Sequence, residues 1–198
     1  MSVKNTSEAY GSIAKWFHWT TALLFLASYC AIYYRNWFAE TDFQKWSGIQ
    51  LHLSIGVTLG VIVILRIIWR LLNRVPEPEP APRLHQLGAR LGHYMLYLIM
   101  IIMPISGYLS IADYLSRGGS FTFFLLFEST VFRDIEGFFG VTLERLEEPA
   151  EFIHHYLGAW VVWLLILGHI FAALYHHYIR QDRTLSKMAF KKSLTTSR

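Results

Sequence analysis

The chain has 198 residues, of which 54% are hydrophobic and only 16% charged, with a mean hydropathy of +0.32. Soluble domains sit near about 45–50% apolar and about 25% charged, so this composition argues against a water-soluble globule. The net charge of +4 needs no nucleic acid to explain it, because the distribution of basic residues across a membrane accounts for it, as argued below. The single cysteine, Cys30, excludes any motif that needs two.

In chain order, the amino-terminal stretch MSVKNTSEAYGSIAKWF is polar and carries no apolar core followed by a small-residue cleavage site, so no signal peptide is expected and the first span is retained. Four charge-free runs follow: Trp16 to Tyr34 (19 residues), Trp46 to Leu65 (20), Leu91 to Ala112 (22) and Phe152 to Ile179 (28). A bilayer core takes roughly 20 apolar residues as a helix, so four spans are predicted, at approximately 14–35, 46–70, 91–112 and 152–178. Trp16, Trp19, Trp37 and Trp46 mark membrane interfaces. The segment VPEPEPAPR after span two reads as a stiff extended connector, and Pro104 predicts a kink in span three. Between spans three and four, GGSFTFFLLF and GFFGVTL are too short to cross and are expected at the outer interface or over the outer end of the bundle. The expected architecture is one all-α domain over 1–198, an integral membrane four-helix bundle.

Thirteen of the eighteen Lys and Arg fall on one side of these spans, which predicts that both termini are cytoplasmic. The opposite side holds Arg35, Lys45, Arg117, Arg133 and Arg145 against ten acids, a net of about −5.

Histidines carry the chemistry. Coordinating groups inside apolar spans are costly to desolvate, and this chain has His18, His52, His154, His155, His169, His176 and His177 in or at the edges of them. Depth sorts four positions into two levels: His18 and His169 near the inner ends of spans one and four, and His52 and His155 near the outer ends of spans two and four. Fourteen residues at about 100° each leave His155 and His169 about 40° apart, whereas His154 lies about 60° off on the other side, so regular helical phase favours His155. A lone histidine in such a place is more often interfacial or bonded to a facing carbonyl. Four at two matched depths instead fit two b-type haems, each held between imidazoles of different helices. With one cysteine, such haems are bound non-covalently. No Asp or Glu lies inside a span, which disfavours zinc.

Arg66 and Arg70 at the inner end of span two, and Arg35 at the outer end of span one, stand where haem propionates would emerge, although each also serves as a membrane anchor. Gly56 and Gly60 give the helix beyond His52 a smooth face, suited equally to a porphyrin or to a close helix contact.

The run FHW in span one, LHLSIG in span two, LGHYMLYLIMIIMPISGYL in span three and HHYLGAWVVWLLILGHIFAALYHHYIRQDRTLSKM in span four resembles the bacterial cytochrome b561 family over nearly the whole chain, and within it the small stand-alone members. The resemblance implies an inner haem on His18 and His169, an outer haem on His52 and His155, and non-ligand roles for His93, His176 and His177. It also implies a bacterial inner-membrane location and electron transfer from superoxide to ubiquinone. The alternative within the same family is an electron-transfer subunit joining the quinone pool to a partner redox protein. The acidic outer side departs from the superoxide reading, since it repels an anion unless Arg35, Lys45, Arg117 or Arg133 forms a local basic patch.

Overall fold

A computed structural model describes residues 2–111, 120–129 and 143–190. Its helices are α1 (Ser12–Trp37), α2 (Asp42–Leu72), α3 (Arg83–Leu109), α4 (Leu143–Tyr156), α5 (Val162–Tyr178) and the short α6 (Thr184–Met188). A single π-helical turn, Leu157–Val161, joins α4 to α5. Among the described residues, three helical stretches are long and apolar enough to cross a membrane: Asp42–Leu72, Arg83–Leu109 and the continuous Glu147–Tyr178. The 26-residue α1 packs along α2 more extensively than any other pair of elements.

Local chemistry explains where α2 begins. Thr41 Oγ1 accepts from the Gln44 amide at 3.2 Å, Gln44 Oε1 accepts from the Thr41 amide at 3.0 Å, and Asp42 sits in the first turn against the positive end of the helix dipole. Helix α3 runs through Pro104 to Leu109, and Pro104 faces α2, where a Cβ at Gly60 would lie 3.4 Å from the Pro104 Cβ. Gly60 therefore serves a helix contact, whereas nothing lies within 4 Å of a Cβ at Gly56.

The buried core is Phe25, Leu59, Val63, Ile99, Met100, Met103 and Val162. On every contributing helix these residues lie between the two histidine levels, so the core forms an apolar layer across the middle of the bundle. Leu23, Val61, Ile64, Leu164 and Phe171 remain exposed, as a lipid-facing surface requires.

One element departs from the all-α expectation. Phe121–Phe123 and Phe127–Ser129 form an antiparallel hairpin with Phe121 opposite Ser129. Its turn places Phe124 and Leu125 at φ 48° and 61°, a left-handed geometry that Asn-Gly normally supplies, so no turn signal in the sequence announces it. The hairpin docks on α2 through two fully buried polar side chains: Gln50 Oε1 accepts from the Thr122 amide at 2.8 Å, and Ser54 Oγ accepts from the Phe124 amide at 2.8 Å. These bonds satisfy one strand amide and one turn amide of the hairpin where water is scarce. The stretch GFFGVTL lies almost wholly outside the described residues.

At the opposite end of the bundle the chain termini and the proline-rich connector are tied together. Lys15 Nζ donates to Ala189 O at 2.8 Å and Trp19 Nε1 to Met188 O at 3.1 Å, while Lys187 pairs with Glu79 at 2.5 Å. Asp182 anchors the turn after α5: it accepts from His176 Nδ1 at 2.6 Å and from the Thr184 amide at 2.9 Å, with the Arg180 guanidinium 3.4 Å away. Burial alone would raise the Asp182 pKa, but the bonds from His176 and Thr184 outweigh it and hold the carboxyl down at about 2. A folded-state pKa below the ordinary 3.8 stabilises the fold above that value and is lost as the pH falls. Asp182→Asn should therefore cost about 1 kcal/mol at neutral pH, and the difference from the parent should shrink as the pH falls from 3.8 toward 2, as read by thermal unfolding in detergent.

Candidate functional site

Two groups of histidines lie on either side of the apolar layer. At the terminal end, where α1 starts and α5 finishes, His18 from α1 and His169 from α5 have ring centres 6.0 Å apart. His93 from α3 stands edge-on to His169 at 5.8 Å, so the third span also delivers an imidazole to this site. Arg66 Nη2 donates to His18 Nδ1 at 3.2 Å, and the guanidiniums of Arg66 and Arg70 lie 5.6 and 6.0 Å from the centre of the Tyr97 ring.

At the hairpin end, His52 from α2 and His154 from α4 are also 6.0 Å apart between ring centres. Both rings are oriented in the same way. A carbonyl oxygen only accepts, so His52 Nδ1–H donates to Ser28 O at 3.0 Å and His154 Nδ1–H to Met103 O at 3.1 Å. Each Nε2 is then left with its lone pair available to a metal, the arrangement by which outer-shell bonds set the tautomer and raise the basicity of a ligand histidine. Two metal–imidazole bonds of about 2 Å, plus the distance from each nitrogen to its ring centre, come to about 6 Å, the separation seen at both ends; at the terminal end the bond from Arg66 to His18 Nδ1 puts the ring proton on Nε2, so ligation there requires that bond to be released.

A cavity of about 630 Å³ opens beside the His52–His154 pair, lined by residues of α1, α2, α3, α4 and the π turn together with Phe121 of the hairpin. Its size is that of a cofactor pocket. Gly56 lines it, and so does His155, which is exposed. Arg35 lies on the same wall, and its buried Nε has no hydrogen-bond partner among the described residues. A buried donor left without an acceptor suits an acidic ligand group such as a propionate. Gly48 permits this placement, because a Cβ there would lie 2.8 Å from the Arg35 Cβ.

Of the residues singled out from sequence, the structure thus gathers His18, His169, Arg66 and, nearby, Arg70 at one end, and His52, Arg35 and the His154–His155 pair at the other. His176 is engaged by Asp182, and His177 stacks edge-on with Tyr178 at 4.8 Å. Arg117 and Arg133 lie outside the described residues. Gly107 had no place in the sequence reading: a Cβ there would come within 2.6 Å of His154 Cε1, so only a glycine lets the imidazole lie against α3. Among the described residues no cluster of three or more His, Cys, Asp or Glu is placed to hold a bare metal ion.

Paired imidazoles bridging helices on both sides of an apolar layer define a helical membrane protein suited to flat, metal-centred cofactors. The match to known proteins gives the class its name: the prokaryotic cytochrome b561 family matches residues 9–191, and this chain belongs to it. Cytochrome b561 homolog 2 of Escherichia coli (strain K12) is 34% identical, covering 98% of this chain and 97% of its own. The probable superoxide oxidase CybB of Yersinia pestis is 31% identical over 93% of this chain and 98% of its own, and cytochrome b561 homolog 1 of Escherichia coli (strain K12) is 28% identical over 86% and 91%. Membership makes the chain a membrane electron-transfer protein that binds b-type haem.

Gly107→Ala should displace the His154 ring and lower thermal stability by about 1–3 kcal/mol. Gly88→Ala, with nothing within 4 Å of the new Cβ, should be neutral or slightly stabilising in the same unfolding measurement.

Proposed function

We propose that this chain is a four-span, dihaem b cytochrome of the bacterial inner membrane, with both termini cytoplasmic, that oxidises superoxide at its outer side and reduces ubiquinone in the membrane. The observation that carries the reading is the pair of 6.0 Å imidazole gaps, one at each end of the bundle with the apolar core between them. His18 and His169 would hold the inner haem, and His52 with one imidazole of the His154–His155 pair the outer haem. When bound, the haems supply the one-electron chemistry.

The chain's own residues do the rest. The imidazoles orient each macrocycle between two helices, and the Phe25, Leu59, Val63 and Val162 layer excludes water between the two levels. Arg35 at the hairpin end, and Arg66 and Arg70 at the terminal end, supply permanent positive charge that balances propionates or an incoming anion. Arg35 is also the described basic residue best placed to guide an anion, because it lines the outer cavity itself.

Superoxide as donor is supported by the relative named a probable superoxide oxidase. The net charge of about −5 on the outer loops is the observation that favours the second reading, an electron-transfer subunit whose outer face docks a basic partner protein.

The haem number is tested by a pyridine haemochrome assay, expected to return two haems per chain, all released by acidified acetone; one or fewer in folded protein would remove the pairing. The donor is tested by a superoxide flux, expected to reduce the haems within mixing time, with added ubiquinone reoxidising them. Arg35→Gln should slow the superoxide step more than it alters the haem spectrum, and added salt should slow the parent if a basic patch captures the anion. Haems that stay oxidised under superoxide yet accept electrons from a quinol would favour the partner-docking reading instead.

A further inference from the structure

The Phe121–Ser129 hairpin carries two features for which a water-exposed loop has no use. Its turn holds Phe124 and Leu125 at φ 48° and 61°, where a side chain is uncommon and Asn or Gly is the ordinary occupant. The residues that do occupy the tip are apolar, and Leu126 and Phe127 stay 80% and 57% exposed. An Asn-Gly tip suits water, whereas in hydrocarbon its polar groups would be costly. The amides around the turn are provided for: Thr122 donates to Gln50 Oε1 at 2.8 Å, Phe124 to Ser54 Oγ at 2.8 Å, Leu125 to Thr122 O at 3.5 Å and Leu126 to Phe123 O at 3.0 Å. Satisfied backbone under an apolar tip is what a non-helical segment needs inside a membrane.

The docking points on α2 give the depth. Trp46 marks the membrane interface, and at about 1.5 Å per residue Gln50 and Ser54 stand about 6 and about 12 Å beyond it. The length of α2 gives the same answer without Trp46. Its 31 residues run about 46 Å against a hydrocarbon core of about 30 Å, and Ser54 is about 18 Å from the first of them. Even with all the excess length at the hairpin end, the level of Ser54 falls inside the core. Direction around the helix agrees: Val61 is eleven residues beyond Gln50, and Ile68 eighteen, which puts both within about 20° of it around α2. Both are exposed, so the face of α2 that carries the hairpin meets lipid farther down. On the other side of the hairpin, Phe121 is buried and lines the cavity beside His52. We propose that this hairpin is a re-entrant element: its tip, Phe124 to Phe127, sits among the acyl chains of the leaflet at its end of the bundle, and its body walls the cavity off from them. The proposal depends neither on the number of haems nor on the electron donor.

The test uses the full chain reconstituted in phosphatidylcholine vesicles. A small fraction of the lipid carries a diazirine on its acyl chain, and after irradiation the modified residues are mapped by mass spectrometry. Adducts are expected within residues 124–127 as well as at the exposed Val61 and Ile64 of α2. A second measurement places a fluorophore on Leu126→Cys, with Phe43→Cys before Trp46 and Val61→Cys beyond it as references, each in a Cys30→Ser background so that one thiol is labelled. The label at position 126 should be quenched by doxyl-labelled lipid as at position 61, and several-fold less by aqueous iodide than the label at position 43. Iodide quenching equal to that at position 43, or a map with adducts on α2 and none within 124–127, overturns the proposal. A label shielded from both quenchers overturns it too, because the tip is then covered by protein such as a second copy of the chain. If the Cys30→Ser chains do not fold, the adduct map of the unaltered chain decides alone.

Discussion

An imidazole inside an apolar bundle cannot leave its N–H without an acceptor, and in this protein that requirement determines how the hairpin-end site is built. The acceptors are main-chain carbonyls of neighbouring helices, Ser28 O for His52 and Met103 O for His154. Because each bond reaches across to a different helix, it fixes the ring plane and the packing of that helix pair together. The outward-facing nitrogen on each ring is then left for a metal. The His154 ring also lies against Gly107, just before the π turn at Leu157–Val161.

The same scarcity of water explains the polar residues elsewhere in the bundle. Gln50 and Ser54 would be costly on a membrane helix if they were not bonded, and each takes an amide of the hairpin that would itself otherwise lack a partner. The hydrogen bond from Trp163 Nε1 to Tyr33 at 2.8 Å is of the same kind, linking α5 to α1. Each polar group inside the bundle thus tethers an element that composition alone leaves unplaced.

The two ends of the molecule differ in chemistry. The terminal end is held by ion pairs and by hydrogen bonds from or to charged groups: Lys187 with Glu79, Asp182 with Arg180 and His176, and Arg66 donating to His18. The hairpin end is closed by strand amides and aromatic rings over a cavity whose basic wall residue is Arg35.

Sequence alone pointed to a membrane protein, because hydropathy and run length survive without knowledge of contacts, and its motifs resembled the b561 cytochromes; spacing also set histidines at two depths, where the structure has a pair at each end. It also placed Arg35, Arg66 and Arg70 at the ends of the spans where the structure has them. The hairpin was not legible, since its left-handed turn is built from Phe124 and Leu125 with none of the usual turn residues. Nor was the nearness of His93 to His169, which depends on how α3 packs beside α5. The register of His154 and His155 was decided only by tertiary structure. Helical phase counts residues as if every turn were alike, and the π turn at Leu157–Val161, whose Gly158 carbonyl accepts from the Tyr29 hydroxyl, alters the phase of both histidines relative to His169.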